Sequence, residues 1–357
     1  MILVHEKVSA PLDAGDLAGV QQALQAAIAL EHSTIPPYLY ALYSLDTSRN
    51  GVVADILRSV VKEEMTHLAL AANILSALGG TPVLDDPGLL PRYPCQLPGT
   101  VEHGLAVGLA PFSIGLVRDT FLAIEQPEHP LRFSGQNATA PAALSDPAAL
   151  SDPAGAWPLT IGQFYRQIRM TIAALGDGVF APAQRNQVTS SLLPDVIAVT
   201  NVVTAEAAIG TIIEQGEGTS STPAEVIGSG MAHYYRFLEI AYGRRLAPDP
   251  AVPGRYVWGD TPIPFDPAGV YRVPADPRTS GYPTGSLARR ACTAFNYSYT
   301  CLLKTLHAAF NGASEEFVSA VGLMMSLRQQ AVDMMTGAST HGTPVGPSFE
   351  WQQAEDC

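Results

Sequence analysis

Two ionisable side chains interrupt the apolar stripe of a predicted helix at residues 52–78. In this segment, which contains "VVKEEMTHLALAANILSAL", apolar residues recur in steps of three and four, as on one face of an α-helix. Continued across the gap, the stripe falls on Glu64 and His67. A carboxylate buried without a partner costs several kcal/mol, so the core should supply a cation. The neighbouring Glu63 lies about 100° around the helix and is expected to face solvent or a flank.

A metal ion is the simplest cation for this position. Glu-x-x-His is a motif that helical bundles use to bind dinuclear iron. Glu31, in "LEHSTIPPYLYALYSL", follows Ala27 by four residues and Ile28 by three, so it also points into the core. A Glu on one helix and Glu-x-x-His on the next, antiparallel helix form half of a carboxylate-bridged dinuclear site. For Glu64 and His67 alone, a salt bridge on an ordinary helix face is the alternative.

Two prolines follow Glu31 along the same predicted helix. Pro36 and Pro37 each remove a backbone N–H donor, so they are expected to kink or bulge the helix. Such an irregularity next to a ligand opens room for a substrate. Tyr38 and Tyr40, beside the expected kink, either line a pocket or pack between helices.

The second half of the predicted site comes from less regular segments. Glu125 continues an apolar stripe through residues 114–121, and Glu214 continues one that begins at Val196. "EQGEG" then ends that helix and places Glu217 close behind. His233 begins a new stripe, "HYYRFLEI".

A dinuclear iron site requires four carboxylates and two histidines. The predicted metal ligands are Glu31, Glu64, His67, Glu125, Glu214, Glu217 and His233. Glu217 and Glu206 compete with Glu214 for one position. The last Glu and His are 19 residues apart if Glu214 is the ligand, so a loop must interrupt the final helix. An N-cap or arginine partner for Glu125, and a hydrogen-bonded core role for His233, remain alternatives.

Helix signals dominate the chain, and strands with alternating polarity are scarce. Helices are predicted from near Asp16, at 52–78, within 111–128, from Thr160 to 175, at 193–218 and 231–243, and as a hairpin at 287–310 and 314–336. We divide the chain into a helical bundle (1–245), a proline-rich, irregular wrapping segment (246–286), the hairpin (287–337) and an extended tail (338–357). The duplicated "ALSDPA" at 143–154 is expected to be a loop.

Composition excludes several classes of protein. With 47 % hydrophobic and 15 % charged residues, the chain has enough apolar side chains for a large core. Its net charge of −13 argues against binding of nucleic acid. We expect neither a signal peptide nor a transmembrane helix. The four cysteines form no CxxC pair and are expected to be reduced, which favours a cytoplasmic protein.

Several motifs together resemble one known family. "LEHSTIPPYLYALYSL", "KEEMTHLALAANILSALGGTP", "RYPCQLPG", "IEQGEG" and "HYYRFLEI" look like the ferritin-like domain of the iminophenylpyruvate dimer synthase type. The resemblance covers roughly residues 15–245, and "FNYSYTCLLKTLHAAFNG" with "GPSFEW" continues it. It implies an all-α, ferritin-like four-helix bundle that binds iron, with the seven predicted ligands on the family's acidic and histidine positions. The chain is much shorter than the dimer synthases, and their substrate and heme are not carried over.

The resemblance and the ligand pattern favour a non-heme di-iron oxidase or oxygenase. Such an enzyme would act with O2 on a small, amino-acid-derived substrate, and a homodimer is its candidate assembly. Ferroxidase or iron-storage activity is one alternative, although the long proline-rich loops look like a substrate cover. A ferritin-like scaffold that binds a partner without redox chemistry is the other. Metal content and substrate-dependent O2 consumption distinguish these three functions.

Overall fold

A computed structural model describes residues 3–101, 105–133, 159–181, 186–218, 222–224 and 230–353 of the chain. The described residues are mainly helical, as predicted. The helices are α1 (Glu6–Ser9), α2 (Leu17–Tyr43), α3 (Gly51–Ala77), α4 (Ile114–Leu116), α5 (Leu122–Ile124), α6 (Ile161–Leu175), α7 (Val202–Glu217), α8 (His233–Tyr242), α9 (Leu287–Phe310) and α10 (Glu316–Met335). The duplicated "ALSDPA" lies outside the described residues, as does most of the segment before His233.

Two long antiparallel helices form one side of a bundle. Asp16 caps α2, because its Oδ1 accepts the N–H of Gly19 at 2.8 Å, so the predicted start of this helix is confirmed. Both α2 and α3 have 27 residues. Gln21 Nε2 donates to the carbonyl of Leu78 at 2.8 Å, which fixes the antiparallel pairing at one end. The two helices therefore present facing core surfaces over most of their length.

The other side of the bundle consists of two interrupted helical columns. The segment from α4 to α5 packs on α8, whereas α6 packs on α7 and α2. One column consists of the segment from α4 to α5 followed by α6, and the other of α7 followed by α8; each has about as many helical residues as one long helix. Both interruptions lie at the same level, since Gly162 at the start of α6 donates its N–H to Glu217 at the end of α7. The middle of the bundle is thus bounded by helix ends on this side.

A stretch of π-helix lies between α4 and α5. It comprises Val117–Phe121, with Val117 and Phe121 fully buried. A π-bulge adds a residue to one turn and changes the direction of the side chains that follow, and such bulges are frequent at functional sites. The side chain that follows here is Glu125, at the C-terminal cap of α5.

The two prolines do not break α2, which continues to Tyr43. A proline at position 37 cannot donate a hydrogen bond to the carbonyl of Ser33, four residues earlier. The hydroxyl of Tyr93 donates to that carbonyl instead, at 2.6 Å, and both side chains are buried. A side chain from the "RYPCQLPG" loop thereby replaces the missing backbone donor.

The C-terminal hairpin is confirmed, with α9 and α10 packed along each other and against the long helices. One cluster of buried apolar side chains extends from Val4 to Phe349 and includes residues of this hairpin. The division of the chain into four segments remains a prediction.

The segment predicted to be an irregular wrap contains a regular strand pair. Strands lie at β1 (Leu3–Val4), β2 (Thr100–Val101), β3 (Leu159–Thr160), β4 (Arg244–Pro248) and β5 (Tyr256–Pro262). β4 and β5 pair as an antiparallel hairpin with an irregularity near Arg244, so the prediction of irregular structure is wrong there. The prolines at 248 and 262 lie at the strand ends, where a missing N–H is tolerated, and they obscured the pattern.

The expectation of four reduced cysteines is wrong at Cys301. This side chain is buried on α9 and forms a disulfide, whereas Cys95 and Cys292 are free thiols. Spacing along the chain does not predict a bond between residues that are brought together by folding. The cysteines therefore do not indicate a reducing compartment. Among the described residues, no helix has the length and apolar character needed to cross a bilayer.

Candidate metal centre

The structure brings five of the predicted ligands together in the middle of the bundle. Ligand atoms of Glu31, Glu64 and His67 lie within 4.8 Å of one another, and so do those of Glu64, Glu125 and His233. Glu64 belongs to both groups. All these side chains are at least nine-tenths buried. One shared carboxylate between two groups of three ligands is the arrangement of a bridged dinuclear site.

The two histidines face each other across the shared carboxylate. The rings of His67 and His233 stack with centroids 5.3 Å apart. His67 Nδ1 is 3.6 Å from Glu31 Oε2, and His233 Nδ1 is 2.9 Å from Glu64 Oε1. Despite this proximity, His233 Nδ1 makes no hydrogen bond to any described residue. A buried nitrogen that faces two carboxylates without a hydrogen bond is suited to bind a cation, so the residues fit a metal ion.

Each histidine uses its other ring nitrogen for an outer contact. His67 Nε2 is 3.1 Å from Oε1 of Gln215, and Gln215 Nε2 donates to Asp195 at 3.3 Å. Since a carboxylate only accepts, Asp195 orients the amide so that its oxygen faces His67, whose Nε2 must then carry the proton. The Nδ1 atom of His67 is left with a lone pair that faces the carboxylates.

Glu63 plays the corresponding part for the second histidine. His233 Nε2 lies 3.0 Å from Glu63 Oε2, and Arg236 Nη1 lies 2.8 Å from Glu63 Oε1. Of the two expectations for Glu63, solvent or a flank, the structure shows the flank, because its half-buried carboxylate reaches over to α8. A helical wheel gives the direction of a side chain relative to its own helix only. It therefore does not show that the start of α8 lies within reach of Glu63.

Hydroxyl groups fix the orientation of the acidic ligands. Tyr165 donates to Glu31 Oε1 at 2.5 Å, and Tyr38 donates to Glu125. The hydroxyl of Thr34 lies 2.8 Å from Glu64 Oε2. Burial, together with the nearby carboxylates, raises the pKa of Tyr38 and of Tyr165 well above the ordinary value, so both remain neutral donors.

The electrostatics of the cluster show how strongly it favours positive charge. Burial, and then the charge of Glu125, raises the pKa of Glu64 to about 7. Burial also raises the pKa of Glu31, but contacts with His67 outweigh this and lower it overall. Burial lowers the pKa of His233, yet the carboxylates around it raise that pKa well above its ordinary value. Without a metal the cluster holds protons, and a bound cation would replace them.

Glu214 and Glu217 belong to neither group of ligands among the described residues. The apolar stripe predicted for Glu214 is wrong, because α7 begins only at Val202, after the cap at Asn201, and Val203 is 72 % exposed. The buried face of α7 instead ends in Gln215. Sequence reasoning missed Gln215, although it follows buried Ile212 by three residues.

Glu217 lies on the wall of a cavity next to the centre. Its Oε1 accepts the N–H of Gly162 at 2.9 Å, and burial raises the pKa of its carboxyl group. A side chain at position 162 would collide with this carboxylate, so only glycine permits the contact. Glu206, the other rival of Glu214, is exposed on α7.

The cavity has a volume of about 60 Å³. Its lining includes buried ligands and, on the partly exposed side, Gln126, Ile161, Ile213, Gly216 and Glu217. This volume holds a few water-sized molecules. A small gas molecule therefore fits beside the carboxylates, whereas an organic molecule must approach from the partly exposed side.

The interrupted bundle and the cluster around Glu64 are those of a helical protein with a candidate metal site between its helices. A model of ferritin-like proteins matches residues 24–242, so the chain belongs to the ferritin-like family, as the motifs predicted. Dichlorochromopyrrolate synthase from Lentzea aerocolonigenes is 25 % identical over 92 % of this chain. The chain spans 35 % of the length of that relative.

A solved structure has the same fold. It is a ferritin-like protein from Caulobacter vibrioides, with a TM-score of 0.59 and 23 % sequence identity. The match covers 92 % of this chain and 96 % of the other. The likeness therefore extends beyond the bundle to most of the C-terminal region.

Proposed function

We propose that the protein is an iron-dependent oxidase or oxygenase with a dinuclear non-heme centre, acting with O2 on a small, amino-acid-derived substrate. The observation that carries the proposal is the pair of three-residue groups that share Glu64. Glu31 and His67 would hold one iron ion, and Glu125 and His233 the other. Bound iron would supply the one-electron steps that O2 needs in order to oxidise an organic molecule.

The residues of the chain control access and protonation around this centre. The apolar side chains of Leu30, Ile124 and Ile212 line the cavity and limit the water that reaches the carboxylates. Tyr38 and Tyr165 keep the terminal carboxylates in position through hydroxyl groups that stay protonated. Glu217 is a half-buried carboxyl group on the cavity wall, outside both three-residue groups, so it can hold a proton near bound substrate.

The relative in the comparison favours an organic substrate over iron storage. Its name describes the synthesis of dichlorochromopyrrolate. The cavity is too small for such a molecule, so the substrate would contact the centre from the side of Gly216 and Glu217. A contact at the cavity mouth leaves the space beside the carboxylates free for O2.

Oxygen consumption tests the proposal. Metal-free protein is loaded anaerobically with two equivalents of Fe(II) and then mixed with O2, alone and with aromatic amino acids or their 2-imino acids. We expect O2 uptake that continues only while an organic substrate is oxidised to a product of altered mass. Uptake that stops once Fe(II) is oxidised, with no organic product, would instead indicate ferroxidase activity. If the protein binds no iron, the remaining function is that of a ferritin-like scaffold without redox chemistry.

A further inference from the structure

We infer that the two metal positions are unequal, and that the position next to His233 binds a divalent metal ion first. The cause is the group behind each histidine, which is the carboxylate of Glu63 for His233 and the amide of Gln215 for His67. The inference rests on the proposed dinuclear centre and adds the order in which it fills.

The two halves of the centre match in their other partners. Each half has one terminal carboxylate, Glu31 or Glu125, and each of these accepts a hydroxyl proton from a buried tyrosine. Glu64 is common to both halves. Each histidine turns Nδ1 towards the carboxylates and Nε2 away from them. Apart from the Thr34 hydroxyl, which contacts Glu64 Oε2, the difference in charge between the halves lies behind the rings.

Behind His233 stands a charged acceptor. Glu63 Oε2 lies 3.0 Å from the ring Nε2, and the Glu63 side chain is only 18 % exposed. Arg236 contacts the other oxygen at 2.8 Å, and its own side chain is 8 % exposed. Because the arginine pairs with Oε1, it keeps the carboxylate ionised while Oε2 remains directed at the histidine.

Behind His67 stands a neutral acceptor. The ring Nε2 lies 3.1 Å from the amide oxygen of Gln215, which is 1 % exposed. Asp195 contacts the far end of the amide at 3.3 Å and is itself exposed to solvent. Water screens that charge, so it adds little electron density to His67.

When the ring N–H of a histidine donates to a carboxylate, the other ring nitrogen is a stronger metal ligand than when the N–H donates to an amide. Hydrogen bonds to ionised acceptors are roughly twice as strong as neutral ones. Changes in such outer contacts typically alter metal affinity by about 10- to 100-fold. Glu63 and Gln215 are thus positioning residues that set different affinities for two otherwise similar halves.

Binding of Co(II) to variants with one histidine tests the inference. His67→Ala retains the position next to His233, and His233→Ala retains the other. Metal-free proteins are titrated with Co(II), followed by visible absorption and by competition with a chelator. We expect His67→Ala to bind one ion about 10- to 100-fold more tightly than His233→Ala. Equal affinities, or the reverse order, would overturn the inference.

Glu63→Gln identifies the cause of the difference. Added to His67→Ala, it should remove most of the advantage, and added to His233→Ala it should change little. Glu206→Gln, which alters an exposed carboxylate on α7, is the matched control. An effect of Glu63→Gln that is equal in both backgrounds would contradict the assigned role. Thermal melting checks that each variant is folded.

A second measurement covers the case in which single-histidine variants bind no Co(II). Glu63→Gln in the otherwise unchanged chain should then weaken the first binding step by about 10- to 100-fold, and Gln215→Glu should strengthen the second step. An unchanged first step in Glu63→Gln would overturn the inference. If the unchanged chain itself binds no Co(II), the proposed dinuclear centre fails, and this outcome is distinct from two ions bound with equal affinity.

Discussion

At the residue scale, the centre depends on one side chain more than on any other. Glu64 belongs to both groups of ligands, and its two oxygens face different partners, with Oε1 near His233 and Oε2 near Thr34. A terminal ligand can be lost while the other half of the site stays intact. Loss of the shared carboxylate removes negative charge from both halves together.

We therefore expect Glu64→Gln to lose more than half of the bound metal, because an amide keeps the shape of the side chain but not its charge. Elemental analysis of protein purified from iron-supplemented cells measures this. Glu206→Gln is the control, since Glu206 is exposed on α7, whereas Glu63 is unsuitable because it contacts His233. Equal metal content in Glu64→Gln and the control would contradict a role for the shared carboxylate.

Periodicity along the chain placed the candidate ligands on the long helices, and also Glu125 and His233 on short ones, but it failed on α7. Glu31, Glu64 and His67 lie on α2 and α3, whose apolar stripes extend for many turns on either side. Gln215 was missed because Val196 and Val199 were assigned to its helix, although the cap at Asn201 excludes them. In the sequence alone, a few apolar residues followed by a helix cap have the same pattern as a continuous helix.

At the scale of elements, α2 shows how the fold accommodates prolines inside a helix. The carbonyl of Ser33 has lost its helical donor at Pro37 and is paired by the hydroxyl of Tyr93. The sequence correctly identifies the missing donors. It does not identify the substitute, because Tyr93 lies 60 residues further along the chain.

A double-mutant cycle can test whether the Tyr93 hydroxyl replaces the missing backbone donor. Tyr93→Phe should lower the free energy of unfolding by about 1–3 kcal/mol, because a buried carbonyl is left unpaired. With Pro37→Ala already present, the backbone N–H at position 37 can pair with that carbonyl. Tyr93→Phe should then lower the free energy of unfolding by about 1 kcal/mol less. Denaturant unfolding gives both values. Equal costs in the two backgrounds would show that Tyr93 does not replace the missing donor.

A second element-scale contact is sensitive to pH. Glu350 joins the C-terminal segment to Thr279, whose N–H and hydroxyl both donate to its carboxylate, at 2.9 and 2.6 Å. Burial raises the pKa of Glu350, but the contacts with Thr279, together with those of Ser348 and Arg278, outweigh it and lower the pKa overall. A carboxylate with a lowered pKa stabilises the fold above its unfolded-state pKa, and this stability is lost as the pH falls through the folded-state value.

Acidification should therefore destabilise the native chain more than it destabilises the Glu350→Gln variant. Between about pH 7 and about pH 3.5, the melting temperature of the variant should fall less steeply, from a lower starting value. Melting curves across this range measure the difference. Parallel curves for the two proteins would show that Glu350 does not titrate with unfolding.

At the scale of the whole molecule, the centre lies where the bundle is least continuous. Its ligands come from α2, α3, the end of α5 and the start of α8, and two of the four helical columns are interrupted at this level. Helix ends are held together less firmly than continuous helices, because backbone groups there lack partners within the helix. Ligands on both sides of the gap would allow a metal ion to join elements that the backbone leaves separate.

Metal binding should consequently stabilise the whole fold. A ligand that binds only the folded state at about 100 times its dissociation constant adds about 2.7 kcal/mol to the free energy of unfolding. We expect Fe(II) or Co(II) to raise the melting temperature, and hydrogen exchange to slow most in α8 and at the start of α6, next to the interruptions. In Glu64→Gln both effects should largely disappear. Tight metal binding that raises the melting temperature but slows exchange no more in α8 and α6 than elsewhere would show that the interrupted columns are already held rigidly without the ion.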